Sequence, residues 1–249
     1  MSGHSKWATI KRKKAVADAK RGKIFTQIIK EITIAARMGG GEQAGNPRLR
    51  LAIEKAKANN MPADNIRRAI QKGTGELPGV AYEDMMYEGY GPGGAALLIE
   101  SVTDNKNRMV SELRHALERY GGKLAAENSV AWMFHKKGII HVLKANYNED
   151  DVLAIILDAG AEDMKTEDEL YIITTAQDAF ENVKNALVGK GMKIESAELQ
   201  MVPQNTVRVE GKEAEQLLRL MELLEDHDDI QHVYSNFDID DKVLASFHA

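Results

Sequence analysis

Apolar residues recur at helical spacing in the first third of the chain and at strand spacing further on. Advancing about 100° per residue from Ile24, Phe25, Ile28, Ile29, Ile32, Ala35 and Ala36 fall within about 140° of one another. Lys23, Lys30 and Arg37 gather on the opposite side, so the pattern predicts a helix with one core face and one face left cationic. Leu49, Ala52, Ile53 and Ala56 repeat the spacing after Asn46-Pro47, which suits an N-cap followed by the first helical position. Ile66, Ala69 and Ile70 mark a third helix starting near Pro62 and stopping at Gly73. With the glycine-rich link at 38–45, these segments predict a three-helix bundle.

After the linker at 74–80, strands and helices alternate. Strands are expected at 85–90 and 95–103, around the turn residues 91–94, and again at 129–134 with Trp132 in the core. Between them lies a helix carrying Val110, Leu113, Ala116 and Leu117 inward, with Asp104 or Asn105 as its cap. From 138 to about 200 the order is close to βαββαβ, with MKTE as an edge strand. The strand at 206–210 is then expected to return to the sheet of 95–103. The fold class expected is a multidomain α+β protein: a basic helical module at 1–79, an interrupted α/β domain at 80–136 plus 204–249, and an inserted domain at 137–203. Both α/β domains are expected as sandwiches in the ferredoxin-like arrangement.

Charge is distributed unevenly along the chain. Residues 1–80 carry 17 Lys and Arg against 6 Asp and Glu, whereas residues 81–249 carry 16 against 32. The net charge of −5 therefore hides a basic module joined to an acidic body. Such a module suits a polyanion, most simply nucleic acid. The candidate contacts are Lys6, Lys11, Arg12, Lys13, Lys14, Lys20, Arg21, Lys23, Lys30 and Arg37, followed by Arg48, Arg50, Lys55, Lys57, Arg67, Arg68 and Lys72. Charge alone supports phosphate contact better than base readout. Trp7, among these cations, either packs back against the bundle or stacks on a base. Arg108, Arg114 and His115 project from the helix after Asn105, either as solvated surface or as a candidate second contact to RNA or protein.

The chain has no Cys and no paired-His motif, so no metal site or cofactor is expected. The glycines of YGPGG match no nucleotide-loop pattern and read as tight turns. The acidic run EDHDD at 225–229 lacks a calcium-loop register and is expected to be solvated or to meet a basic partner. No apolar run is long enough to span a membrane and no secretory signal is visible, which makes the cytosol the expected compartment.

Five long words tie these features together: SGHSKWATIKRKKAVADAKRGKIFTQIIKEI at 2–32, NPRLRLAIEKAKANNMPADNIRRAIQKG at 46–73, YEGYGPGG at 87–94, TDNKNRMVSELRH at 103–115 and SVAWMFHKKG at 129–138. The sequence resembles the YebC/PmpR family, whose mitochondrial relatives include the translational activator of cytochrome c oxidase subunit I. The resemblance implies three domains, no enzymatic reaction, and a cytoplasmic regulator of gene expression. It implies DNA as the target through the family's description as transcriptional regulators, and ribosomal RNA on the ribosome through the mitochondrial relatives. A monomer without a membrane is expected. The resemblance adds His4 to the first contact set and supports Lys6, Trp7, Lys11, Arg12, Lys13 and Lys14 there. It adds Asn105 and Asn107 to the second set, beside Arg108 and His115. Met109 stands where the family pattern suggests Thr, and Asn128 where it suggests Gly; Asn tolerates a left-handed turn.

Overall fold

The structure, a computed structural model, describes Trp7, residues 18–167 and residues 169–247, with residues 18–21 as backbone alone. It is α+β, with helices at the N-terminal end and sheets after them. Helix α1 (Asp18–Gly39) is followed by α2 (Pro47–Ala58) and α3 (Ala63–Thr74). Their shared core holds Ile28, Ile32, Ala35, Leu49, Ile53 and Ala69, the positions that the helical spacing selects. Asn46 closes one helix and opens the next. Its Nδ2 donates to the carbonyls of Ala35 and Gly40, and its Oδ1 accepts the Leu49 amide at 3.0 Å.

Gly73 does not end α3, contrary to the expectation. The helix continues to Thr74, and Gly75 at φ 84° takes the left-handed cap. A Cβ on Gly73 would lie 2.3 Å from the Thr33 carbonyl oxygen, so glycine here permits the close crossing of α1 and α3.

Next come β1 (Glu83–Tyr90), β2 (Ala96–Thr103), α4 (Lys106–Arg119) and β3 (Lys123–Leu124). A second stretch follows: β4 (Phe134–Leu143), α5 (Glu149–Ala159), β5 (Ala161–Thr166), β6 (Leu170–Ala176), α6 (Phe180–Gly189) and β7 (Ile194–Pro203). The chain ends with β8 (Val207–Arg208), α7 (Gly211–Glu225), β9 (Ile230–Ser235), β10 (Phe237–Asp238) and α8 (Asp241–Phe247). Two compact units result, one of residues 1–131 with 205–249 and one of residues 132–204.

In the first unit the sheet order is β3-β1-β2-β9, with every pairing antiparallel. The strand expected at 206–210 does not join it. β8 is two residues long and pairs in parallel with β10, because the place beside β2 is taken by β9, with Leu97 opposite Ser235 and Ile99 opposite Val233. Met109, Leu113 and Leu117 of α4 and Leu217, Leu218 and Met221 of α7 bury against this sheet's Leu97 and Ile99. Trp7, fully buried, enters the same core rather than the helical bundle. Its ring meets Phe247 at a centroid distance of 5.8 Å, and its Nε1 donates to Glu225 at 3.0 Å.

The second unit has the order β5-β6-β4-β7, again antiparallel throughout. Gly138 makes room for α6, since a Cβ there would meet the Phe180 ring at 2.3 Å. The strand expected at 129–134 is absent. Residues 131–133 form a single 3-10 turn, strand pairing starts at Phe134, and Trp132 is 63% exposed rather than in the core.

Candidate nucleic-acid interface

The side chains expected to form one cationic surface divide into two groups. Lys30 is only 7% exposed. Its Nζ donates to Asp229 Oδ1 at 2.5 Å and to the Asp228 carbonyl at 2.9 Å. Lys23 donates to the Glu225 carbonyl and pairs with Asp226 at 3.6 Å, while Gln27 donates to the Ile230 carbonyl at 2.6 Å. These residues lie on one side of α1 because they are spaced by three or four. The face read as a free cationic surface is therefore a docking face, with the acidic segment 225–229 as its partner. Part of the attraction comes from position, since the Glu225 carbonyl ends α7, where lysines complement the helix dipole.

Asp229 holds this joint together. Besides Lys30, it accepts from Thr103 Oγ1 at 2.9 Å and from Arg108 Nη2 at 2.7 Å. Burial alone would raise its pKa, but the hydrogen bonds from Lys30, Arg108 and Thr103 outweigh burial and hold it at about 2. Arg108 also pairs with Asp104 at 2.8 Å. These carboxylates hold its guanidinium charged, Asp229 most strongly.

A second clasp centres on Arg48 of α2. It grips Glu31 of α1 through Nε at 2.7 Å and Nη2 at 3.0 Å, and Asp84 of β1 at 2.5 and 2.9 Å. The two bidentate pairs raise its pKa, Asp84 contributing most. Arg37 donates to the Tyr82 carbonyl at 2.9 Å, so the residue just before β1 is drawn back to α1.

What remains on the surface is different. Lys55 and Lys57 on α2, and Arg67, Arg68 and Lys72 on α3, are exposed. Arg67 pairs with Asp64 on its own helix at 2.8 Å, both side chains being about two-thirds exposed. Arg68 and Lys72, four apart, share a face. Arg50 is half-buried. In the second set, Asn105 is the N-cap of α4, accepting the Arg108 amide at 3.0 Å, whereas Asn107, Arg114 and His115 are exposed. His4, Lys6, Lys11, Arg12, Lys13 and Lys14 lie outside the described residues, as do the side chains of Lys20 and Arg21.

One local device escaped sequence reading. Glu88 is 6% exposed and accepts the amides of Asn128, Val130 and Ala131 at 2.7, 2.6 and 2.9 Å. Burial opposes its charge, yet these amide donors lower its pKa. Asn128 takes φ 64°, the left-handed turn that Asn tolerates. A carboxylate inside a strand next to a buried run was the available signal for Glu88, and the acidic run at 225–229 was the signal for the partner of α1. Among the described residues, no group of three or more His, Asp or Glu could hold a metal. No helix among them is long and apolar enough to cross a membrane.

Comparison with known proteins matches residues 5–76 to a profile described as the TACO1/YebC protein N-terminal domain. Residues 82–237 match the TACO1/YebC second and third domain. The chain belongs to the TACO1/YebC family. It is 58% identical over 245 residues to a "Probable transcriptional regulatory protein" of Syntrophobacter fumaroxidans, covering 98% of each chain. A protein of the same description from Chloroherpeton thalassium is 54% identical over the full length of both. The crystal structure of a conserved hypothetical protein from Aquifex aeolicus superposes with a TM-score of 0.84 at 42% identity, covering 91% of this chain and 94% of that one. Both curated TACO1/YebC relatives carry the name of a regulatory protein.

Proposed function

We propose that this chain is a non-enzymatic, cytoplasmic regulator of gene expression that binds nucleic acid through phosphate contacts. The observation that carries this reading is the exposure of Lys55, Lys57, Arg67, Arg68 and Lys72 on one small module while Lys23, Lys30 and Arg48 are held in internal ion pairs. The cations of the N-terminal arm, Lys11 to Lys14, extend the same charge, and Asn107, Arg114 and His115 form a second contact. The names of the relatives favour DNA and transcription. A second reading, translation regulation through ribosomal RNA, is favoured by the spread of the exposed cations over two helices, since a footprint of phosphate contacts positions a protein without reading bases. The protein acts as a monomer of three domains, 1–79, 80–136 with 204–249, and 137–203, the last in the split βαβ arrangement that its strand order supports.

Crosslinking in intact cells, with sequencing of both bound DNA and bound RNA, separates the two targets. Enrichment at defined promoters without ribosomal RNA supports transcription. Sharp ribosomal RNA crosslinks with ribosome cosedimentation support translation. Absence of both, at levels above a variant with Arg67, Arg68 and Lys72 changed to Glu, removes the nucleic-acid reading.

A further inference from the structure

We infer that the outer face of α5, in the second unit, is a docking surface for a basic amphipathic helix of a protein partner. None of its residues belongs to the cations of α2 and α3, so the docking surface and the phosphate surface can fail separately. Advancing about 100° per residue along α5, Val152, Ile155, Ile156 and Ala159 gather within about 100° of one another. That side turns to the core, with Val152, Ile156 and Ala159 buried. Asp150, Leu153, Ala154 and Leu157 gather within a second span of about 100° on the opposite side, and all four are exposed, Leu153 at 37% and Leu157 at 62%. Single exposed leucines are ordinary, but two one turn apart, in a helix whose core side is already filled, make a second apolar stripe left in water.

The charge around this stripe selects its occupant. Residues 145–164 hold six acidic groups and no Lys or Arg. Glu162 and Asp163 are paired, with Lys137 at 2.7 Å and Lys165 at 3.8 Å, whereas Glu149, Asp150, Asp151 and Asp158 enter no ion pair among the described residues. Glu149, Asp150 and Asp151 stand in the first turn, where the helix dipole favours them. Asp158 stands in the last turn, where the dipole opposes an acid, so helix stability does not account for it. An apolar stripe with acids at both ends complements a helix that carries apolar residues at i, i+3, i+4 and i+7 with Lys or Arg beside them. The same acids repel phosphates, and a pair of α5 helices would set them against one another, so nucleic acid and a second copy are both disfavoured as the occupant.

Fluorescence anisotropy with the full-length protein tests this surface. The probe is a fluorescein-labelled peptide of about 18 Leu and Lys residues with the leucines at helical spacing, and the control has the same composition in an order that gathers no apolar face, both at about 0.15 M salt. The helical-order peptide should bind saturably and at least about tenfold tighter than the control. Leu153→Ser combined with Leu157→Ser should weaken it more than about tenfold, and Asp158→Lys about threefold to tenfold. Neither variant should lower thermal stability, because the side chains are exposed. Equal binding of the two peptides, or an affinity unchanged in the double leucine variant, reduces the contact to general charge attraction and overturns the docking surface. Failure of the helical-order peptide to bind overturns it too. A wild-type dimer in sedimentation equilibrium that the double leucine variant abolishes would make a second copy the occupant, and that result also overturns the proposal.

Discussion

Helix α1 and the pair α2–α3 carry the same kind of charge to opposite ends. On α1, Lys30 is buried against Asp229, and Lys23 meets the end of α7. On α2 and α3, Lys55, Lys57, Arg68 and Lys72 face water. The difference lies in what each helix packs against. α1 is covered on two sides, by the bundle core through Ile28 and Ile32 and by the segment 225–230 through Lys23, Gln27 and Lys30. A basic stripe on a helix is thus a folding element when an acidic segment of matching spacing lies elsewhere in the chain, and a candidate binding surface when none covers it.

The largest effect expected is from breaking the buried pair. Lys30→Ala leaves Asp229 with one cation fewer in a buried place and should cost about 3–5 kcal/mol in urea unfolding, with Asp229→Ala in the same background recovering part of the loss. A cost within 0.5 kcal/mol would make α1 a solvated face after all.

The two tryptophans give a parallel contrast. Trp7→Ala should destabilise by about 3–5 kcal/mol, since it empties a site in the core beside Phe247. Trp132→Ala should change thermal stability by less than about 0.5 kcal/mol. Equal losses would mean that exposure does not separate their roles.

Acid should loosen the same joint more gently. Asp229 titrates at about 2 in the folded chain against an ordinary 3.8, so its contribution is present above pH 4 and is lost as the pH falls through 2. The loss is up to about 2 kcal/mol. Glu88, also lowered, acts in the same direction. Asp229→Asn should flatten this part of the stability profile, and an unchanged profile would remove Asp229 from the joint.

How much of this was legible in the sequence follows from the range of each interaction. Helix caps and core faces are local: Asn46, Leu49 and Ile53 can be read from residue type and spacing, whereas the sequence leaves the cap of α4 between Asp104 and Asn105 and the structure places it at Asn105. The partner of Lys30 lies 199 residues away, and a charge pattern does not say which opposite charge will meet it. Gly73 looks like a stop because glycine commonly ends helices, but here the nearby carbonyl of Thr33 requires it. Trp132 looks like core because its neighbours Val130 and Phe134 are buried, yet a single 3-10 turn between them aims it outward. Of the candidate contacts, the exposed cations of α2 and α3 were legible, whereas their separation from Lys23, Lys30 and Arg48 needed the tertiary fold.

The measurement that tests the division most directly is the salt dependence of nucleic-acid affinity in the full-length protein with Arg67, Arg68 and Lys72 changed to Glu. Thermal stability should shift by less than about 0.5 kcal/mol, because these side chains are exposed. The slope of log affinity against log salt should become shallower by about 0.7–0.9 for each phosphate that the variant no longer neutralises, so by about 2–3 in all, with the affinity at low salt falling more than tenfold. An unchanged slope and affinity in a stably folded variant would mean that the exposed face of α3 touches no phosphate.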